Sequence, residues 1–364
     1  MDQALRSRCE RFLANRDTLR KAFPWENPYL HAVCAGILTQ KNQTAEVDRL
    51  HDCRDLLRSR TGFFSNFRGI AQEAMITLLS LEPAPQEKLD QGLRLYDALK
   101  DHFRPSQYLP LAALLLADQV EERQYGAFAA RTRAIYNGMK EAHCFLTGVE
   151  DSVFAALLAL SPRPVEELIA ETEACYDRLK HRPFGTGQFT QTLSHVLALG
   201  EGSAQEKCDR TLALYGALKD RGRKYSTGHE LGTLGLLTLV PGEVEALAEE
   251  VVEVDHFLSQ QKGYGLMGVG KAQRLMHGVM LTAGYILDQN QAVLQQCLDP
   301  PAAGGKCLGN TIRDFYRTRD VQGETDQTFF VLLQQSGLQS RAVFAGSKHF
   351  LQANFFHKNP PVHK

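Results

Sequence analysis

The sequence predicts an all-α protein made of about five to six stacked helical pairs, arranged as an open solenoid or an α/α toroid. Three observations support this. An octet with tyrosine at its fourth and lysine at its eighth position recurs about every 40 residues, at 93–100, 133–140, 173–180 and 212–219. A more uniformly apolar run precedes each octet, and proline or glycine separates the two. No strand-like alternation lies between them.

The octets read as amphipathic helices. Their third and seventh positions are apolar and lie one above the other on a helix. The tyrosine lies beside this stripe, so its ring is expected to bury against a neighbour while the lysine continues the flank into solvent. The tyrosines are Tyr96, Tyr136, Tyr176 and Tyr215, and a degenerate fifth copy at 252–259 has Asp255 in register.

The apolar runs read as the more buried helix of each pair, because they are apolar around more of their circumference. They are ITLLSLE, AALLLAD, VFAALLALS, SHVLALGEG and LGLLTLVPG. Small aromatic-x-Thr-Gly motifs precede three of them, at 145–148, 184–187 and 225–228. We therefore expect about five helical pairs over residues 66–285, with no strand of five or more residues.

The chain divides into three parts on this pattern. Residues 1–65 form a divergent N-terminal helical unit, with helical patterns on both sides of the PWENP turn. Residues 66–289 carry the helical pairs. Residues 290–364 form a non-repeat tail, expected to pack poorly against the pairs from about residue 298 because PPAAGG breaks any helix.

Several of these motifs, in order along the chain, resemble a known bacterial family. They are KAFPWENPYL, FLTGVEDSVFAALLALS, LSHVLALG and the Tyr/Lys octets, and together they resemble domain of unknown function 4003 over roughly residues 5–288. The resemblance implies a cytoplasmic bacterial protein and brings no activity, substrate or cofactor. The tail departs from the alanine-rich, small-residue helix expected at the end of this family.

Composition restricts the classes of partner. The 41 basic and 42 acidic residues nearly cancel, which disfavours nucleic acid or membrane as a partner of the whole chain. The first residues lack the apolar core of a signal peptide, and the run at 109–117 is too short to span a bilayer, so we expect a cytoplasmic location. The eight cysteines show no CxxC pair, and we expect buried small hydrophobes, with no metal, disulfide or cofactor.

Two short motifs partly match known sequence patterns, a phosphate-binding loop and a zinc-binding helix, but each lacks a required feature. GYGLMGVGKA at 263–272 matches a phosphate-loop pattern in part, but a helix precedes it and Ala272 replaces the Ser or Thr that would bind magnesium. HELGT at 229–233 lacks the second histidine of a zinc helix. His195, His229 and His277 fall on successive buried helices, where satisfied core histidines are more common than metal ligands.

One polar position recurs at the start of the buried helices, as Gln72, Tyr108, Asp151, Thr190 and Glu230. Polar residues are favoured in a first turn, where they face free N–H groups. Stacking would also place them along one rim, beside the Thr-Gly turns. The predicted ligand-binding rim comprises Tyr108, Thr147, Asp151, Thr186, His195, Thr227, His229, Glu230 and Lys271.

Two hypotheses of function remain open. The first is a non-enzymatic scaffold that binds an unidentified protein, peptide or small ligand at this rim, with Asp151 and Glu230 as its most sensitive contacts. The alternative is an α/α-toroid enzyme with Asp151 and Glu230 as an acid and base pair in a polar central pocket, beside His195 and His229. No catalytic residue is assigned in the first hypothesis.

Overall fold

The computed structural model describes residues 1–69, 71–265 and 268–298, with side chains up to residue 290. Within these residues the chain is helical, and the prediction of an all-α protein is confirmed. The α-helices are α1 (Gln3–Ala22), α2 (Pro28–Gln40), α3 (Val47–Arg60), α4 (Gln72–Leu81), α5 (Pro85–Lys100), α6 (Tyr108–Leu116), α7 (Tyr125–Ala142), α8 (Asp151–Ala159), α9 (Val165–Leu179), α10 (Gln188–Ala198), α11 (Ala204–Asp220), α12 (Leu231–Leu239), α13 (Val244–Ser259) and α14 (Lys271–Leu298).

Two short 3₁₀ helices, Asn66–Arg68 and Glu122–Gln124, lie in the connections. The described chain contains no strand, and its one isolated bridge joins Tyr264 to Val269. The N-terminal unit contains a third helix, α3, that the sequence pattern did not predict. It is short of apolar residues and buries only Leu50, Cys53 and Leu57.

The even-numbered helices are the interior ones, as their apolar composition predicted. Every residue of α6 and α8 is buried, and α12 is buried except at its last residue. A helix that is apolar on all sides is stable only when protein surrounds it. The odd-numbered helices bury a single stripe; in α9 that stripe includes Leu168, Cys175 and Leu179.

Contacts join alternate helices. Each odd-numbered helix packs against the next odd-numbered helix, and each even-numbered helix packs against the next even-numbered one. The ends of the series also meet, because α1 contacts α13 and α14, and α2 contacts α14. At this junction the ring of Tyr29 in α2 lies edge-on to His229, with 6.0 Å between the ring centroids.

Consecutive helices run in opposite directions, because connections of 3 to 11 residues join them. The starts of all even-numbered helices therefore lie at one end of the molecule. We call the connections that lead into these helices the N-terminal rim, and those that follow them the opposite rim. Two contacts agree with this arrangement. Gln188 Nε2, at the start of α10, donates to Glu150 Oε1 in the connection before α8 at 2.7 Å. Arg16, in the second half of α1, donates to the Lys262 carbonyl in the connection before α14 at 2.9 Å.

The Tyr/Lys octets mark a recurring aromatic contact. Each octet tyrosine packs against a ring at the end of the preceding odd-numbered helix or in the connection that follows it. The pairs, with centroid distances, are Phe67–Tyr96 at 5.1 Å, Phe103–Tyr136 at 5.4 Å, His143–Tyr176 at 4.3 Å and Phe184–Tyr215 at 5.2 Å. In three octets the lysine lies over its own tyrosine ring, at 5.9 to 6.0 Å.

Arginines on odd-numbered helices satisfy the last carbonyl groups of even-numbered ones. A helix leaves its final four carbonyls without intrahelical donors. Arg131 of α7 donates to three carbonyls at and just after the end of α8, those of Ala159, Ser161 and Arg163. Arg210 contacts three carbonyls at and after the end of α12 in the same way, and Arg49 contacts two at the end of α4. These contacts hold α4, α8 and α12 against the odd-numbered helices that precede them.

Five of the six described cysteines are buried, as expected for small core hydrophobes. Cys144 is the exposed one. The expected behaviour of the tail concerns residues that lie almost wholly outside the described part of the chain, so it stays a prediction.

Candidate functional site

The N-terminal rim carries all five large hydrophobic side chains that are exposed in the described residues. They are Trp25 (96% exposed), Phe63 (75%), Phe64 (95%), Phe145 (99%) and Val149 (48%). They stand on the connections that lead into α2, α4 and α8. Isolated exposed apolar residues are common, but a set restricted to one end of a molecule marks an interaction surface.

Local hydrogen bonds fix these connections in place. Asn27 accepts from the Tyr29 N–H and Pro28 opens α2, so the turn that carries Trp25 ends in a capped helix. In the next such connection Arg68 donates to the Arg58 and Thr61 carbonyls. The aromatic side chains thus project from ordered turns.

A groove lies between the connections into α4 and α6, with a volume of about 530 Å³. We call it the rim groove. Its lining includes Phe63, Phe64, Arg68, Tyr108 and Val149. The volume falls within the range of ligand pockets, roughly 300–1,000 Å³. Tyr108 is itself buried, and this burial raises the pKa of its hydroxyl above the ordinary value.

Charge is distributed unequally between the two rims. The seven connections of the N-terminal rim contain eight Lys and Arg against four Asp and Glu, a net of +4. The six connections of the opposite rim contain three Lys and Arg against seven Asp and Glu, a net of −4. Each rim contains both helix starts and helix ends, so helix dipoles alone do not produce this difference.

Asp151 lies beneath the rim surface, with 2% exposure. Its Oδ2 accepts from the Gly148 N–H at 2.8 Å, and its Oδ1 lies 3.5 Å from Nδ1 of the buried His195. Thr147 is buried too: its hydroxyl donates to the Met139 carbonyl and accepts from Gln191. These contacts fold the turn that leads into α8.

Glu230 is engaged in a similar way just before α12, and it is also 2% exposed. Its Oε1 lies 2.9 Å from His229 Nε2, and its Oε2 accepts from the Ser226 hydroxyl at 2.8 Å. Burial raises the pKa of Glu230, but His229 and Ser226 outweigh burial and leave that pKa below its ordinary value. The carboxylate is therefore ionised at neutral pH.

Beside this pair lies a small cavity of about 10 Å³, lined in part by Glu150, Gln188 and His229. That volume accommodates about one water molecule. Thr186 and Lys271 are exposed, and Thr227 is half-buried. Of the predicted rim residues, the structure brings together the pairs Asp151–His195, 3.5 Å apart, and His229–Glu230, 2.9 Å apart.

Two features were missed by the sequence reasoning. The first is the exposed aromatic set, which could have been noticed as Trp25 and the Phe63–Phe64 pair within predicted turns. The second is a buried pair between α2 and α4, in which His31 Nδ1 lies 2.8 Å from Glu73 Oε1. Burial raises the pKa of Glu73, against the opposing effect of His31. No residue spacing in the sequence indicates this pair.

The described residues contain no group of three or more His, Cys, Asp or Glu arranged to hold a metal ion. Among the same residues, no helix combines the length and the apolar character that crossing a bilayer requires.

Comparison with known proteins places the chain in a family. It is 23% identical to the uncharacterized protein YeaA of Bacillus subtilis (strain 168) over 230 residues, which cover 60% of this chain and 67% of YeaA. No solved structure matches it significantly. The sequence model of the family described as "Protein of unknown function (DUF4003)" matches residues 15–299, from within α1 to the end of α14. The chain belongs to the DUF4003 family.

Proposed function

We propose that this chain is a binding protein without catalytic activity, which recognises its partner through the N-terminal rim. In this proposal the helices form a repeat of pairs that closes into an α/α toroid. Support comes from the contacts between alternate helices and from those of α1 and α2 with α13 and α14. A closed stack of this kind buries its helix faces and leaves its connections for recognition.

One observation carries the binding proposal: the exposed large hydrophobic residues of the described chain all lie on one rim. Exposing Trp25, Phe64 and Phe145 to water is unfavourable, since burying such a side chain stabilises a protein by roughly 1.5–3 kcal/mol. A partner that covers them recovers this free energy. The rim groove adds a concave site beside Phe63 and Phe64.

The enzyme alternative receives less support from the geometry. A general acid or base needs an oxygen within reach of a substrate. Asp151 and Glu230 are buried, and each uses both carboxylate oxygens for protein contacts. The small cavity lined by His229 and Glu150 has room for about one water.

The predicted rim residues then take two roles. The exposed Thr186 and Lys271 and the half-buried Thr227 and His229 border the binding surface. The buried members support the turns from beneath. They are Tyr108, Thr147, Asp151, His195 and Glu230.

Site-specific photo-crosslinking in living cells tests the proposal. A benzophenone-bearing amino acid replaces Phe64 or Phe145 on the N-terminal rim, and Lys41 on the opposite rim serves as the matched exposed control. We expect light-dependent adducts, with protein or lipid, from positions 64 and 145 and not from position 41. Equal labelling at the two rims, or none at positions 64 and 145, would refute rim binding.

A further inference from the structure

The exposed aromatic residues protrude from three separate connections of the N-terminal rim, Trp25 and Phe145 singly and Phe63 with Phe64 as a pair. Trp25, Phe64 and Phe145 are each at least 95% exposed, and the one described ring that Phe64 contacts is that of its exposed neighbour Phe63, at 5.1 Å between centroids. They stand on three different connections at the same end of the molecule. Residues that dominate protein–protein interfaces usually sit in well-packed patches matched to pockets on the partner. A partner with separate, correctly placed pockets would be needed here, whereas a bilayer accepts protruding side chains at any spacing.

Unpaired cations lie on the same rim. Arg104, Arg182, Lys224 and Lys262 in the connections, and Lys271 at the start of α14, are exposed and form no ion pair with any other described residue. The exposed acids that lack an ion pair in the same connections are Glu26 and Asp101. The rim is therefore complementary to a negatively charged surface.

We propose that the N-terminal rim docks on an anionic membrane surface, with Trp25, Phe64 and Phe145 entering the interfacial layer and the unpaired cations facing lipid headgroups. This inference rests on the proposed function and names the partner of its binding rim. Aromatic side chains favour the boundary between headgroups and acyl chains. Lys and Arg near the surface add attraction to anionic lipids, and salt screens it.

The charge distribution explains why the composition of the whole chain disfavoured a membrane partner. Net charge is −1 overall, but the N-terminal rim carries +4 and the opposite rim −4. An anionic surface orients such a molecule with its N-terminal rim toward the membrane. Single-stranded nucleic acid fits less well, because stacking platforms alternate with cations along one track. Here the aromatic tips lie before α2, α4 and α8, while four of the five cations lie before or at the start of α10, α12 and α14.

Vesicle flotation with fluorescence tests this directly. Trp25 is the only tryptophan, so its emission reports on one position of the rim. The full chain is mixed with vesicles of phosphatidylcholine alone, or of equal parts phosphatidylcholine and phosphatidylglycerol. We expect flotation and a blue shift of Trp25 emission with the anionic vesicles, both reduced by high salt and both weak with phosphatidylcholine alone.

Matched variants locate the contact. Phe64→Ser and Phe145→Ser, at positions where the side chain is at least 95% exposed, should each weaken vesicle binding roughly tenfold while Phe64→Leu largely retains it. Arg182→Glu with Lys224→Glu should weaken it at least as much, and Lys41→Glu on the opposite rim should not.

The outcomes separate the two proposals. Absence of flotation with anionic vesicles, an unchanged Trp25 emission, or Phe64→Ser and Phe145→Ser variants that bind as the parent does would overturn membrane docking. If position 64 then forms adducts with a protein or a nucleic acid, rim binding stands and its partner is of that class. If neither vesicles nor adducts are found, both proposals fall.

Discussion

Asp151 provides the sharpest test of how the rim is built, because the sequence predicts a ligand contact and the structure shows a buried residue that supports the turn before α8. From the sequence it is a ligand contact, and its replacement should leave stability nearly unchanged. In the structure Asp151 is the first residue of α8, is buried, and accepts the N–H of Gly148 in the preceding connection, with His195 nearby. We therefore expect Asp151→Ala to destabilise the protein.

The magnitude follows from the interactions that the substitution removes. A hydrogen bond to a charged group contributes about 1.5–3 kcal/mol, and a carboxylate in the first turn of a helix adds about 0.3–1 kcal/mol. Asp151→Ala should therefore cost about 2–4 kcal/mol. Asp151→Asn keeps an acceptor for the Gly148 N–H and removes only the charge, so it should cost about 1 kcal/mol.

Urea denaturation followed by circular dichroism measures both values as shifts of the midpoint at constant slope. The exposed Thr186→Ala is the control and should change stability by less than about 0.5 kcal/mol. If Asp151→Ala is as stable as the parent chain, the argument that Asp151 holds the turn before α8 is wrong, and the interpretation of Asp151 as a ligand contact is favoured again.

Three further predictions concern packing, capping and pH. Gly235→Ala should lower the free energy of unfolding by about 1–3 kcal/mol, because a Cβ there would lie 2.4 Å from Val196 Cγ1. Gly216→Ala is the control, since open space surrounds Gly216, and it should stabilise α11. Equal effects of the two variants in thermal melts would contradict this prediction. Arg131→Met should cost about 1.5–3 kcal/mol by leaving the carbonyls at the end of α8 without their donor, and a melting temperature equal to that of the parent would refute the cap. Burial, then the nearby arginine charge, lowers the pKa of His277 to about 3, so the unfolded state binds more protons between pH 3 and 6.5. Stability should fall by about 2 kcal/mol from neutral pH to pH 5 through this group, and His277→Gln should remove that part of the slope in urea titrations.

Much of the fold could be predicted because its signals are local. The apolar runs and the octets each specify a helix within a few turns, and proline and glycine mark where the helices end. The difference in burial between the two kinds of helix was also readable, since α6 and α8 are apolar on every side. The helix α3 escaped this interpretation because three buried residues are too few to establish a period.

The location of the candidate surface was partly predictable for the same reason. Short connections make successive helices antiparallel, so the starts of the buried helices must gather at one end. The identity of the exposed residues was not predictable. Asp151 and Glu230 are polar, and the sequence placed them at the surface, yet the structure buries both against His195 and His229.

The sequence by itself determined the helical class, the pairing of buried with amphipathic helices, and the end of the molecule at which the connections meet, because periodicity and chain breaks act over a few residues. Only the tertiary structure decided which side chains reach solvent. Burial depends on neighbours distant in the chain, as Tyr29 against His229 illustrates, and no local pattern records those neighbours. The spacing of polar residues predicted a surface at Asp151 and Glu230. The tertiary structure buries these two residues and exposes Trp25, Phe64 and Phe145, which therefore define the candidate surface.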